Sequence, residues 1–228
     1  MSSPHTEKSE TWRILLLNSF ALLLDVTEII SGYEILHETL KNYCDDTILE
    51  MVRNTYKRND NHLNVLCHGD LWANNIMFTH SPDGIVQDVL LVDFQLANLN
   101  TPASDLAFLI FSSFHDDLDE SSWNELLKYY HTILTQTLDK FEYKDRTLTL
   151  RQLHEQFLSQ AVLASLIGLI TNGGRRLENV NADGINVFIS QTEEGRKLRV
   201  DMVMTKSCEK SINTILKFIC ENKLFEKK

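Results

Sequence analysis

The chain divides into long stretches without helix breakers and one short segment of strand-like runs. Residues 11–60 contain a single glycine, Gly32, and no proline, and their apolar residues recur at helical spacing. Residues 64–94 are different, because short apolar runs alternate there with loop and turn residues. The pattern predicts an α+β protein that is mainly helical, with one small β element at its centre.

The β element is predicted as a strand, a loop and a hairpin. Residues 64–67 are a short apolar strand that enters a loop at Gly69, residues 76–78 are a second strand, and residues 86–94 are the returning strand. Residues 81–84, Ser-Pro-Asp-Gly, predict the connecting turn, because proline presets its φ and glycine accepts positive φ.

The flanking regions show helical periodicity. They predict two or three helices over 11–60 and a helix capped by Ser104 or Asp105. Two further helices are predicted over 119–138 and 150–171, the second with a stop at Asn172-Gly173-Gly174. A polar irregular segment is predicted over 175–190 and one long final helix over 191–222.

The charge balance limits the classes of partner. The chain has 22 basic and 32 acidic residues and a net charge of −10, which argues against a nucleic acid or a membrane surface. Residues 14–26 are apolar, but polar residues interrupt them and they are too short to span a bilayer, so they predict a buried helix. The four cysteines form no Cys-x-x-Cys pair, which favours a reducing, cytoplasmic location.

The residues with chemical potential lie on the β element. His68, Asp70 and Asn75 have the spacing His-x-Asp-x-x-x-x-Asn of a kinase catalytic loop. In phosphoryl transfer a carboxylate orients the attacking hydroxyl and oxygen ligands hold Mg²⁺. We therefore expect Asp70 to be the catalytic base and Asn75 and Asp93 to be the metal ligands, with Phe94 packed behind Asp93.

Two further residues have structural interpretations. His68 is expected to be buried and hydrogen-bonded, holding the loop backbone, and not to act as a general base. Asp105 is either a plain helix N-cap or a residue that supports the catalytic loop, and it can fill both roles.

Three segments together resemble a known family. Residues 64–78 (NVLCHGDLWANNIMF), 88–98 (DVLLVDFQLAN) and 101–113 (TPASDLAFLIFSS) are similar to the ecdysteroid kinase-like, or CHK kinase-like, family. That family resembles choline kinases and aminoglycoside phosphotransferases within the protein-kinase-like fold. The best-matching segment is expected over residues 30–225.

The resemblance implies an ATP-dependent kinase that phosphorylates a hydroxyl of a small molecule. It assigns Asp70 as base and Asn75 and Asp93 as ligands of Mg²⁺, with ATP as the phosphate donor and an ecdysteroid or another small alcohol as acceptor. Acceptor contacts are expected on the helices of 104–171 and on the loop 172–190. Gln95 stands where protein kinases have glycine, and its Cβ is expected to keep the Asp93 segment from flipping.

One departure from the family pattern is the absence of a recognisable nucleotide-binding lobe. No glycine-rich loop or strand lysine is evident before Gly69, so residues 1–228 are interpreted as a single carboxy-terminal lobe. We expect a partial gene product rather than a genuine short one, since such a lobe would expose apolar surface. The alternative function is a catalytically inert, pseudokinase-type binding module.

Overall fold

The computed structural model describes residues 4–57, 59–113, 120–174 and 182–226. Its helices are α1 (Pro4–Ile29), α2 (Glu34–Leu40), α3 (Asp45–Thr55), α4 (Ala103–Ser112), α5 (Glu120–Lys140), α6 (Leu150–Gly174), α7 (Ala182–Ile189), α8 (Glu193–Val203) and α9 (Glu209–Glu221). Its strands are β1 (Val65–Cys67), β2 (Ile76–His80), β3 (Val86–Leu91) and β4 (Asn98–Asn100), with 3-10 turns at Ala73–Asn75 and Phe94–Leu96. The predicted mainly helical class is confirmed.

The chain forms two compact units. The helical unit comprises Met1–Asn54 and Val162–Lys228, and the β-containing unit comprises Thr55–Ala161. Helix α6 contributes its first half to the β-containing unit and its second half to the helical unit. The single lobe predicted over residues 1–228 stays a prediction.

The core of the helical unit is built from apolar helix faces. Helix α9 is amphipathic, since its buried residues recur at the i, i+3, i+4 and i+7 spacing of one helix face: Ile212, Ile215, Leu216 and Ile219. Helix α1 contains residues 14–26, and its Leu23 and Val26 are completely buried. The buried helix predicted for that segment is confirmed.

Helix α6 is the one helix among the described residues with the length and apolar composition to cross a membrane. However, 78% of its most apolar window is buried inside the protein, as in the core helix of a globular domain. The predicted stop at residues 172–174 is wrong by one turn, because α6 continues through Gly174. Its Gly173 allows close packing, since a Cβ there would lie 2.9 Å from Val203 Cγ1.

The β-containing unit holds two separate two-stranded antiparallel sheets. Strands β1 and β4 pair with Val65 opposite Asn100, and β2 and β3 form the predicted hairpin with Ile76 opposite Leu91. At the hairpin turn, Gly84 adopts a φ of 83° and donates its N–H to the Ser81 carbonyl over 2.9 Å. Strand β4 has no counterpart in the sequence prediction.

Aromatic packing joins three helices of this unit, and a buried amide holds the end of β4. Phe111 of α4 packs against Trp123 of α5 and Phe157 of α6, with ring centroids 5.4 and 6.1 Å apart. The side-chain amides of Asn100 and Gln160 both donate to the Thr55 carbonyl, over 3.2 and 3.1 Å. These contacts fix the end of β4, from which α4 begins.

The long final helix predicted over 191–222 is wrong. Helices α8 and α9 are separated at residues 204–208, where the Cys208 N–H donates to the Thr205 carbonyl over 2.9 Å. The hydroxyls of Thr205 and Ser207 lie 3.1 Å apart in this break. Such side-chain hydroxyls compete with helical hydrogen bonding, which explains the interruption.

The irregular segment predicted over 175–190 is also wrong in part, because α7 occupies Ala182–Ile189. Residues 175–181 lie outside the described residues, as does residue 119 at the start of the helix predicted over 119–138. The carbonyls of Phe188 and Ser190 at the C-terminal end of α7 accept hydrogen bonds from the buried guanidinium of Arg199. This contact from α8 stabilises a helix end that local sequence does not indicate.

Candidate active site

The loop after β1 turns sharply at Gly69. This residue has a φ of 80°, in the left-handed region that favours glycine. A Cβ at this position would lie 2.2 Å from the Leu96 carbonyl oxygen. Only glycine therefore lets the loop with Asp70 pass against the segment that follows Asp93.

Asp105 holds this loop from the first turn of α4. Its two carboxylate oxygens accept hydrogen bonds from the backbone N–H groups of His68, over 2.6 Å, and Gly69, over 2.9 Å. The predicted capping by Ser104 or Asp105 is wrong, because α4 begins at Ala103 without a side-chain cap. The carboxylate satisfies loop amides instead, and charge-assisted bonds of this kind are among the stronger ones in proteins.

Both ring nitrogens of the buried His68 are occupied. Nε2 donates to the Val92 carbonyl over 2.7 Å, and Nδ1 accepts from the Asp70 N–H over 3.3 Å. These two partners assign the neutral Nε2–H tautomer. His68 therefore links the loop to the end of the hairpin, with neither nitrogen left to take a proton from a substrate.

Asn75 joins the loop to both strands of the hairpin. It is buried, and its Nδ2 donates to the Asp70 carbonyl over 2.8 Å and to Asp70 Oδ2 over 3.1 Å. Its backbone carbonyl accepts from the Val92 N–H over 3.0 Å. The side-chain oxygen Oδ1 is thus the atom that remains to serve as a metal ligand.

Asp93 follows β3 by two residues and is exposed. It has a φ of 64° and a ψ of 59°, and its Oδ2 accepts a hydrogen bond from Gln95 Nε2 over 3.2 Å. Phe94 is half-exposed, and its ring lies against His68 with centroids 4.7 Å apart. The expected packing of Phe94 behind Asp93 stays a prediction.

The charges of Asp70 and Asp93 act on each other. Burial raises the pKa of the Asp70 carboxyl, the hydrogen bond from Asn75 opposes that rise, and the negative charge of Asp93 adds to it. A cation near these carboxylates would offset the effect of Asp93 on Asp70.

The donor set suits a hard cation. Carboxylate and amide oxygens are the ligands that Mg²⁺ prefers, and Mg²⁺ completes its octahedron with water and phosphate oxygens. Among the described residues no group of three or more His, Cys, Asp or Glu side chains is arranged as a metal cage. Asn75 and Asp93 therefore fit Mg²⁺ that carries several ligands from elsewhere, such as a nucleotide.

The family comparison matches this part of the chain. The family model described as the ecdysteroid kinase-like family matches residues 1–143. This chain belongs to the ecdysteroid kinase-like family. Searches of curated proteins and of solved structures give no significant match.

Membership of the ecdysteroid kinase-like family confirms the resemblance predicted from the motifs and indicates a kinase-like phosphotransferase. The matched region contains every residue of the candidate site, from His68 to Asp105. It begins before the predicted segment of 30–225 and shares residues 30–143 with it.

Two neighbours of the site in this ecdysteroid kinase-like protein escape sequence reasoning. Ser113, at the end of α4, accepts a hydrogen bond from the Ala73 N–H over 2.9 Å. Partial burial first, and then the charge of the nearby Asp70 carboxylate, raise the pKa of the phenol of the half-exposed Tyr56. Ser113 ends the family-like segment 101–113, in which no role was assigned to it, and Tyr56 lies outside all three segments, because each contacts the loop from another part of the sequence.

Proposed function

We propose that this protein transfers the γ-phosphate of ATP to a hydroxyl of a small molecule. Asp70 orients the acceptor hydroxyl and accepts its proton, while Asn75 and Asp93 hold Mg²⁺. One observation carries this function: the loop, the hairpin and α4 bring a partly buried carboxylate, an amide and a second carboxylate to one place. Phosphoryl transfer requires this kind of positioning more than it requires covalent chemistry by the protein.

The side chains of this unit divide the work. Asn75 donates to Asp70 Oδ2, which leaves Oδ1 of Asp70 to accept from a substrate hydroxyl. Asp105 and His68 hold the loop so that Asp70 keeps its orientation. Bound Mg²⁺ would neutralise the phosphate charge that develops during transfer.

The β-containing unit is proposed to be the catalytic portion of the carboxy-terminal lobe of a protein-kinase-like fold. Support comes from the order of its parts: a strand, the His-Gly-Asp loop, a hairpin and the Asp-Phe-Gln segment, followed by helices. The same order places Asn75 directly before β2 and Asp93 just after β3.

The acceptor is proposed to be an ecdysteroid or another small alcohol. The half-exposed rings of Tyr56 and Phe94 provide apolar surface in the β-containing unit, and Tyr56 lies near Asp70. A ring-containing alcohol would use such surfaces, whereas a negatively charged acceptor would be repelled by Asp70 and Asp93.

A second candidate function is a catalytically inert binding module. The residues before Gly69 contain no recognisable glycine-rich loop and no lysine in a strand pattern. Kinases commonly use such groups to hold the nucleotide phosphates, so this observation favours the inert alternative.

Thermal unfolding distinguishes the two functions. We expect the melting temperature of the chain to rise with a non-hydrolysable ATP analogue plus Mg²⁺, and the Mg²⁺-dependent part to be lost in Asp93→Asn. Transfer of labelled phosphate to a panel of ecdysteroids and simple alcohols then identifies the acceptor. An unchanged melting temperature at millimolar nucleotide, together with no transfer, would establish the inert module.

A further inference from the structure

Asp93 adopts a backbone conformation that few residues other than glycine adopt. Its φ of 64° lies in the left-handed region, which it shares with only two other non-glycine residues among those described, Glu142 and Lys223. Aspartate and asparagine enter this region more often than most residues, because their short polar side chains can form local hydrogen bonds there. A local hydrogen bond of the Asp93 side chain therefore helps to hold this conformation.

Gln95 provides such a contact. The 3-10 turn Phe94–Leu96, closed by the Ala97 N–H donating to the Phe94 carbonyl over 3.0 Å, brings the Gln95 side chain back towards Asp93. Its Nε2 then donates to Asp93 Oδ2 over 3.2 Å. Within the described part of the chain, this is the one hydrogen bond that the Asp93 carboxylate receives.

The chemistry of the donor matters as much as its position. An amide N–H holds a carboxylate without adding charge, whereas a lysine or arginine at the same place would repel a divalent cation. The bond engages Oδ2 and leaves Oδ1 of Asp93 as a ligand with a defined direction. A glycine, which protein kinases have at the corresponding position, carries no side chain that could do this.

We infer that Gln95 is a positioning residue that orients the Asp93 carboxylate for cation binding. This role rests on the proposed function, in which Asp93 is a ligand of Mg²⁺. Removing a hydrogen-bond partner of a metal ligand typically weakens metal affinity by about tenfold to a hundredfold. Since Gln95 and Asp93 are both exposed, we expect the loss of the Gln95 amide to weaken metal affinity by about tenfold, the lower end of that range.

The test measures metal affinity directly. Mn²⁺ alone is added to the ¹⁵N-labelled full chain, and paramagnetic broadening of the Asn75 and Val92 amides is followed by NMR. Gln95→Met keeps the size of the side chain and removes the donor, so it should need about tenfold more Mn²⁺ for the same broadening. Gln136→Met, on the exposed face of α5, is the matched control and should behave as the wild type.

The outcomes separate this role from the proposed function. If Asp93→Asn loses Mn²⁺ binding and Gln95→Met binds as the wild type does, the positioning role is wrong while the metal site stands. If Asp93→Asn matches the wild type, or the wild type binds no Mn²⁺, the metal assignment itself is wrong and the role of Gln95 falls with it. A lower thermal midpoint of Gln95→Met with unchanged Mn²⁺ affinity also overturns the inference, since it indicates a purely structural side chain.

Discussion

The two units use their carboxylates in opposite ways. In the helical unit, the buried Asp25 forms an ion pair with Arg196, whose Nε lies 2.9 Å from Asp25 Oδ2. In the β-containing unit, Asp70 and Asp93 act on each other as like charges, and Asp105 binds backbone amides. The first arrangement neutralises its charge within the unit, whereas the second leaves Asp70 and Asp93, among the described residues, without a basic partner, at the place where a cation is proposed to bind.

The largest effect is expected from Asp70→Asn. An asparagine keeps the shape but accepts no proton, so phosphate transfer should fall about a thousandfold, within the range for a general base. Transfer to an accepted alcohol measures the rate, and Mn²⁺ broadening of the Val92 amide serves as the control for an intact site. Turnover equal to that of the wild type would refute Asp70 as the base.

Asp105→Ala should cost the most stability. It removes both hydrogen bonds to the loop amides, and two charge-assisted bonds correspond to about 3 kcal/mol in the free energy of unfolding. Urea unfolding gives the value, with the exposed Asp139→Ala of α5 as the control. A loss below about 1 kcal/mol would contradict a supporting role for Asp105.

Asp25→Asn tests the opposite arrangement. Asp25 is buried and Arg196 is half-exposed, so the lost ion pair should reduce the free energy of unfolding by about 2 kcal/mol, between exposed and fully buried pairs. Glu10→Gln, which breaks an exposed pair with Arg13, should change it by less than about 0.5 kcal/mol. Equal effects of the two variants would contradict the structural role of the Asp25 pair.

The buried cysteines report on each unit separately. Burial first, and then the charge of Asp105, raise the pKa of Cys67 to about 12, so its thiol stays neutral and inert at pH 8 until it is exposed. Cys208 is buried in the helical unit. In a Cys44→Ser, Cys220→Ser background, thiol labelling in urea measures the free energy of the opening that exposes each buried cysteine. This free energy should be about 1 kcal/mol lower for Cys67 than for Cys208, because short strands and loops open more easily than packed helices. Earlier labelling of Cys208 would reverse the comparison.

The smallest effect is expected from Asp93→Asn without metal. The substitution removes a negative charge that acts on Asp70, and asparagine, like aspartate, enters the left-handed conformation more readily than most residues. The free energy of unfolding should therefore stay constant or rise by about 0.5 kcal/mol. Destabilisation as large as that of Asp25→Asn would show that the carboxylates of the two units contribute equally to the stability of the fold.

Local sequence patterns predicted the β hairpin well because its signals lie within a few residues. The turn at residues 81–84 and the alternation of apolar runs act over short distances. Strand β4 was missed, because Asn98-Leu99-Asn100 has little strand propensity and is fixed by pairing with β1. The break between α8 and α9 was missed because apolar periodicity continues across it, while Thr205 and Ser207 end the helix locally.

In the candidate site, the sequence predicted the residues but not their hydrogen-bond partners. The spacing from His68 to Asn75 names the residues, and the family match to residues 1–143 supports the kinase-like class. The partners of these residues were less predictable. The hydrogen bonds of Asp105 to loop amides join residues 36 and 37 positions apart, a separation at which no sequence periodicity operates.

The sequence by itself determined a mainly helical chain with one β hairpin, the residues of the loop and hairpin, and the kinase-like family. Helical periodicity, turn chemistry and motif spacing are local properties, so they can be recognised from the sequence alone. Tertiary structure decided that Gly69 passes against the Leu96 carbonyl, that Asp105 binds the loop and that Asn75 binds Asp70. These contacts exist only once packing has brought distant segments together.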